Sequence, residues 1–238
     1  MMLPDTTYRT NDPEIMDDFA LEGEMLKDAL DKIAQINQLL GGNKITIDGL
    51  RELTDEITTF TEITICDLGC GNGDMLRSIA DYGLNNNLKL KLIGIDANAF
   101  TINHAQTLSF DYPNIHYSCE NIFDDKFQKS EYDIVLCTLT LHHFKDEEII
   151  NLLSKLYTQT RIGIIVNDLH RSAVAYKLFQ ALCYMFKLNK MSREDGLTSI
   201  LRGFKKADLI RYSKLLNFQN YKVRWKWAFR YQWIISKI

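Results

Sequence analysis

From residue 62 onward the chain alternates short β-branched runs with stretches of helical periodicity, and few architectures accept that alternation. Strand candidates are Ile63–Asp67, Leu90–Asp96, Ile115–Cys119, Tyr132–Thr138 and Ile162–Asp168. Between them, Asp74–Tyr82, Ala99–Phe110 and Asp146–Tyr157 fit helices. Strands separated by helices pair in parallel, and right-handed crossovers place the helices on both faces of the sheet. The expectation is an α/β chain with a doubly wound sheet. The rhythm breaks after the fifth strand. Residues 171–203 read as one or two helices and a loop, Lys205–Leu216 as a helix, and Tyr221–Phe229 with Tyr231–Ile238 as a closing antiparallel pair. Seven strands result, mostly parallel, with an antiparallel C-terminal strand. Upstream, Glu14–Leu40 reads as a helix ended by Gly41-Gly42, and Ile47, Leu50, Leu53, Ile57 and Phe60 mark a second. The predicted division is an N-terminal helical cap over 1–61 and a sheet domain over 62–238, with a helical insertion at about 171–203.

Composition excludes several classes. The 238 residues carry a formal net charge of -3, with 46% hydrophobic and 25% charged side chains, the balance of a globular chain. A chain of this length buries about 70–75% of its unfolded surface and needs no disulfide or metal staple. Cys66, Cys70, Cys119, Cys137 and Cys183 form no C-x-x-C pair, and an odd number is no disulfide framework. No apolar run reaches the roughly 18 residues of a membrane-crossing helix. Met1-Met2-Leu3-Pro4-Asp5 lacks the pattern of a signal peptide. A cytoplasmic protein is expected. Charge is unevenly placed: residues 1–62 hold 14 acidic and 5 basic side chains, whereas residues 187–238 hold 13 basic and 3 acidic. The basic end suits an anionic partner. The overall balance argues against a protein that coats nucleic acid.

The stretch Asp67-Leu68-Gly69-Cys70-Gly71-Asn72-Gly73-Asp74 falls where the first strand ends and a helix begins. Glycines there allow a tight turn and close approach to a ligand. The dinucleotide fingerprint G-x-G-x-x-G is absent, because Asp74 stands where its third glycine belongs. No G-K-[ST] follows, which excludes a P-loop. Asp67 faces the loop with a carboxylate, which repels a pyrophosphate and suits a cation. Asp96 ends the second strand, where folds of this type grip ribose hydroxyls. A cationic, ribose-bearing ligand fits both acids.

These residues resemble the first motifs of the class I S-adenosylmethionine-dependent methyltransferases, a Rossmann-like family, and the resemblance covers residues 63–168. It implies that Gly69, Cys70 and Gly71 lie beside the methionine moiety of S-adenosylmethionine, with Asp67 supporting that end. Asp96 takes the ribose, and Ala97 and Asn98 flank the adenosine. At the position of the family's adenine-binding acid stands Asn121, so Glu120 or the Ile122 backbone is the alternative. Cys137 and Thr138 line the cofactor after the fourth strand. S-adenosylhomocysteine is the implied product.

The acceptor should meet the carboxyl ends of the strands. There Thr138-Leu139-Thr140-Leu141-His142-His143-Phe144 lacks the prolines of nucleobase amino-methylating enzymes, and no Pro-Cys marks a cytosine-C5 enzyme. No acid follows strand four as in metal-dependent catechol-type enzymes, so no metal is expected. Neutral imidazole is suited to taking a phenolic proton near pH 7. His143 is the first candidate base, followed by His142 and His170; the alternative is a histidine satisfied by a backbone group. Asp168 either orients His170, pairs with Arg171 or caps the next helix. Tyr176, Phe179, Tyr184, Met185 and Phe186 either wall an apolar pocket or pack against the cap. Arg171 and Arg202 are candidates to meet an acidic acceptor group.

Pro13–Asp18, Asn167–Arg171 and Arg193–Phe204 are similar to a bacterial methyltransferase subgroup associated with type III polyketide synthases and aromatic pigment pathways. This implies O-methylation of a small phenolic or polyketide-like, hydrophobic or aromatic acceptor. The alternatives are a quinone-ring C-methyltransferase, an RNA methyltransferase using the basic end, and a non-catalytic cofactor-binding subunit of a biosynthetic complex.

Overall fold

The computed structural model describes residues 3–55, 62–124 and 131–237. Ile57, Phe60, the Met1-Met2 terminus and Ile238 lie outside the described residues. The chain runs through α1 (Glu24–Leu39), α2 (Gly42–Thr54), β1 (Ile63–Leu68), α3 (Asp74–Asn85), β2 (Leu90–Asp96), α4 (Ala99–Leu108) and β3 (Ile115–Cys119). It continues through β4 (Tyr132–Thr138), α5 (Asp146–Gln159), β5 (Thr160–Leu169), α6 (Ala173–Met185), α7 (Lys190–Arg202), α8 (Lys206–Leu215), β6 (Asn220–Lys226) and β7 (Arg230–Ser236).

The seven strands form one sheet in the order β3-β2-β1-β4-β5-β7-β6. Strands β1 to β5 pair in parallel, β7 runs antiparallel to β5, and β6 antiparallel to β7. This is the Rossmann-like sheet that the alternation predicted. The chain winds outward from β1 to β3, then returns to lay β4 on the other side of β1. Helix crossovers diverge at that switch, leaving a crevice at the carboxyl ends of β1 and β4. Because β7 is antiparallel, its first residues meet the same edge.

Helices cover both faces, so the central strands are apolar on both sides. On β1 and β4 the alternation is explicit. Ile65, Ile134 and Leu136 enter one core with Leu92 and Ile165. Cys66, Val135 and Cys137 enter the other with Leu153 and Trp233. The cysteines here are small hydrophobes.

The N-terminal helices are part of this packing. Leu50 and Leu53 of α2 join the core containing Ile165 and Ile234. Gly49 lets the helix approach: a Cβ there would lie 3.1 Å from Ile165 Cγ2. Buried amides reinforce the seam, since Asn167 Nδ2 donates to Gly42 O at 2.9 Å and Gln232 Nε2 to Ile45 O at 2.6 Å. Helix α1 buries Leu26, Ala29 and Leu30 against Met191 of α7.

Strand β6 ends at Lys226, short of the expected Phe229, and the N-terminal helices also depart from expectation. The helix expected over Glu14–Leu40 is a 3-10 turn, Ile15–Asp17, followed by α1 from Glu24. Gly23 between them has φ 97°, outside the right-handed helical region, so the periodic pattern cannot continue through it. Helix α2 begins at Gly42, several residues before its first marked apolar position, because Gly41 adopts a left-handed turn at φ 74°. None of the described helices is long and apolar enough to cross a membrane. Leu50 is fully buried, so Leu50→Ala is expected to lower the unfolding free energy by about 2–5 kcal/mol. Urea denaturation checks this, and a loss below about 0.5 kcal/mol would mean that α2 does not share the sheet's core.

Candidate active site

One cavity of about 960 Å³ runs along the carboxyl edge of the sheet. Its first end is built on the glycine loop. Gly69, Gly71 and Gly73 have φ values of 66°, 54° and 77°. At Gly69 a Cβ would also strike the Thr140 side chain at 2.7 Å. The turn is held against β2 by Gly69 and Cys70, whose N–H groups donate to Ile95 O at 2.8 and 3.1 Å. Asp96 accepts from Gly71 N at 3.2 Å and Asn98 N at 3.0 Å. Asn98 in turn caps α4 by accepting from Thr101 N.

Three carboxylates surround this loop. Asp67 is buried, and its Oδ1 has no hydrogen-bond partner among the described residues. Burial raises its pKa well above the carboxylate range, with the charges of Asp96 and Asp74 adding to the effect. Burial also raises Asp96, opposed by the N–H bonds of Asn98 and Gly71. An orphaned buried carboxylate beside two others favours a cationic ligand, as the sulfonium and amino groups of S-adenosylmethionine provide.

Every residue predicted for the cofactor lines this cavity except one: Asp67, Gly69, Cys70, Gly71, Asp96, Ala97, Asn98, Glu120, Asn121, Ile122 and Thr138 are on its wall. Cys137 is fully buried in the core behind it. The Asn121 side chain folds back to accept from Phe123 N at 3.0 Å.

The second end is a polar cluster drawn from three distant segments. After β4 the chain makes a 3-10 turn, Leu141–His143. His142 Nδ1 lies 2.7 Å from Asp168 Oδ1, and His142 N donates to Asp168 Oδ2 at 3.2 Å. Asp168 thus orients His142, not His170, and Ser172 caps the next helix. Burial alone would raise Asp168; the charge and hydrogen bond of His142 and the Leu169 N–H outweigh it and hold the carboxyl low. His143 Nδ1 lies 2.7 Å from Asp17 Oδ1. Arg202 Nη1 bonds Asp17 Oδ2 at 2.7 Å, while its Nε donates to His142 O at 3.0 Å and its Nη2 to His143 O. These bonds overcome burial and lower the Asp17 pKa.

Glu14 completes the cluster. Ser199 Oγ donates to its Oε2 at 2.7 Å, and its Oε1 lies 3.8 Å from His142 Nε2 with no hydrogen-bond partner among the described residues. Burial raises its pKa, with the charge of His143 leading the opposing effects. Glu14, His142 and His143 offer ligand atoms within 4.8 Å of one another, the donor set of a metal centre. Arg202 Nη1 stands 3.6 Å from Glu14 Oε1, and its positive charge opposes a divalent cation there.

Other predicted residues are placed elsewhere. His170 accepts from Trp225 Nε1 at 3.2 Å and packs beside Phe229 and Tyr231, off the cavity wall. Burial, Lys205 and Arg171 lower its pKa. Arg171 is buried and spends its guanidinium on the Thr6, Thr7 and Gly203 carbonyls and Asp208. Tyr176 is off the wall, Tyr184 is exposed, and Phe179 and Met185 line the cavity. Glu14 and Asp17 were visible within the Pro13–Asp18 motif, but nothing local marks them as facing a strand end more than 100 residues away.

Known proteins share the fold. Residues 65–163 match the family model described as a methyltransferase domain. Carboxy-S-adenosyl-L-methionine synthase of Helicobacter pylori strain J99 is 22% identical over 177 residues, 69% of this chain and 70% of that one. Among solved structures, the plantazolicin methyltransferase BpumL, in complex with a pentazolic desmethylPZN analog and SAH, has a TM-score of 0.68 at 16% identity, covering 88% of this chain and 90% of its own. Magnesium protoporphyrin IX methyltransferase from Synechocystis PCC 6803, with bound SAH, has a TM-score of 0.55 at 15% identity, covering 84% and 86%.

Asp67→Asn tests the cofactor end twice. Losing a charged contact should weaken S-adenosylhomocysteine binding about 10- to 100-fold by calorimetry. An acid whose folded pKa is raised contributes stability below its unfolded pKa and loses it as pH rises through the folded one. At pH 7 the ligand-free variant should therefore melt higher than wild type; a lower melting temperature would show that the carboxylate is structurally engaged.

The methyltransferase domain matched over residues 65–163, the sheet order and the carboxylate-ringed glycine loop support S-adenosylmethionine-dependent methyltransferase activity for this chain.

Proposed function

We propose that the chain O-methylates a small phenolic or polyketide-like acceptor, with His143 as general base. The observation that carries this reading is the His143–Asp17 pair on the wall of the cavity shared with the glycine loop. The neighbouring folds are named for plantazolicin and magnesium protoporphyrin, so the fold leaves the acceptor to local chemistry.

In this reading residues 1–61 cap a catalytic domain over 62–238. Asp67 and the Gly69–Gly71 turn hold the methionine end of the cofactor, Asp96 the ribose, and Ala97, Asn98 and the Glu120–Ile122 segment the adenosine. Bound there, the cofactor supplies an electrophilic methyl group. His143 donates Nδ1–H to Asp17, which leaves Nε2 as the acceptor of the hydroxyl proton. Asp17 then stabilises the imidazolium. His142, held by Asp168, sits 4.3 Å ring to ring behind His143 and sets its position. Apolar residues of α6, including Leu178, Phe179 and Leu182, wall the cavity and suit a hydrophobic acceptor.

His143→Ala should lower kcat about 10²- to 10⁴-fold on an active phenol, the usual range for a lost general base, with S-adenosylhomocysteine affinity retained. Asp17→Asn should act in the same direction and less strongly. A panel of resorcinols, pyrones, quinones and RNA read by methyl transfer decides the acceptor. Turnover of RNA or of a ring carbon in preference to phenols would overturn the reading, as would full activity of His143→Ala.

A further inference from the structure

Of the cavity's guanidinium groups, Arg9 and Arg202 have visible employment. Arg9 bonds Asp146, the Arg202 carbonyl and the carbonyls of His142 and Phe144. Arg202 holds Asp17 and the two histidine carbonyls. Arg230 does not follow this pattern. It opens β7 beside Leu169 of β5, lines the cavity, and is 5% exposed. Its Nη1 has no hydrogen-bond partner among the described residues.

Asp168 is the nearby opposite charge, yet its oxygens already serve His142 and the Leu169 N–H. A buried guanidinium without an acceptor is costly, and an incoming anion recovers that cost. Burial pulls its pKa down to about 10, with the charge of Asp168 pulling the other way. The group remains cationic at neutral pH. Leu169, Trp227 and Phe229 line the cavity beside it and present an apolar surface to whatever carries the anion. In the sheet, β1 and β2 hold the glycine loop and Asp96, while β5 and β7 lie beyond β4. Arg230 thus stands at the acceptor end, away from the cofactor carboxylates.

We propose that Arg230 anchors the acceptor by binding a carboxylate on its ring, so that the enzyme selects an aromatic acid over the corresponding neutral phenol. The planar fork of arginine matches a carboxylate with two parallel hydrogen bonds. The identity of the acceptor as a phenol rests on the reading above; the anion site does not.

Benzoate and benzamide have the same shape and differ in charge, and neither carries a phenolic hydroxyl. Calorimetry on the S-adenosylhomocysteine-loaded enzyme should show benzoate binding at least about tenfold tighter than benzamide, a difference of about 1.4 kcal/mol. Arg230→Gln should erase that preference while retaining S-adenosylhomocysteine affinity, which reports that the variant is folded. Arg230→Lys, which keeps the charge and loses the fork, should retain part of it. Equal affinities in wild type, no benzoate binding, or an undiminished preference in a folded Arg230→Gln would each overturn the proposal. If Arg230→Gln does not fold, the wild-type comparison and Arg230→Lys decide it. Methyl transfer to 2,4-dihydroxybenzoate against resorcinol separates the two readings: a benzoate preference with no turnover of either phenol upholds the anion site and sinks the phenolic acceptor.

Discussion

Arg202 is the side chain on which the histidine cluster of the cavity depends. One guanidinium, nearly buried, joins Asp17 of the N-terminal segment to the main chain of His142 and His143 after β4, and it arrives on α7. Three pieces of chain far apart in sequence are thereby fixed in one geometry. Charge-assisted bonds are stronger than neutral ones, and burial reduces screening by salt. Asp195 adds a second anchor from the same helix by accepting from Ile15 N and Met16 N at 2.7 and 3.0 Å. These bonds hold the Ile15–Asp17 turn over the strand ends together with the partly buried Met16, which packs beside Leu26, Leu30 and Met191.

The cavity is divided electrostatically. Around the glycine loop stand Asp67, Asp74 and Asp96, whereas the rest of the wall carries the histidine–carboxylate cluster and the cationic Arg230. Among the described residues, Asp67 Oδ1 and Arg230 Nη1 are buried polar atoms without a hydrogen-bond partner. Burying such atoms lowers stability, and the cost falls where ligands of opposite charge can offset it.

The uneven charge of the sequence is resolved within the fold. Acidic residues of the N-terminal part meet basic residues of the C-terminal part: Asp17 meets Arg202, and Glu52 meets both Lys222 and Arg224. Part of the basic end is thus neutralised within the fold. The Glu52 contacts hold that carboxyl down to about 2, with the Arg224 hydrogen bond leading, but these side chains are partly exposed and screened.

The alternation of strand and helix, the parallel sheet and the glycine loop with Asp67 and Asp96 were all legible from residues 62 to 168, because backbone propensity and short-range spacing decide them. The cofactor wall follows from the same local rules, since its residues sit at consecutive strand ends. The acceptor end is different in kind. That Asp168 faces His142 instead of His170, that Arg171 and Arg202 are consumed by the fold while Arg230 Nη1 has no partner among the described residues, and that Glu14 and Asp17 close over the histidines are outcomes of tertiary packing. Side-chain partners across more than 100 residues depend on strand order and on how helices dock, and no periodicity within the chain encodes them. The sequence by itself determined the sheet and the glycine loop with its carboxylates; only the tertiary structure decided which charges meet around the two histidines, because there the contacts are made by segments that folding alone brings together.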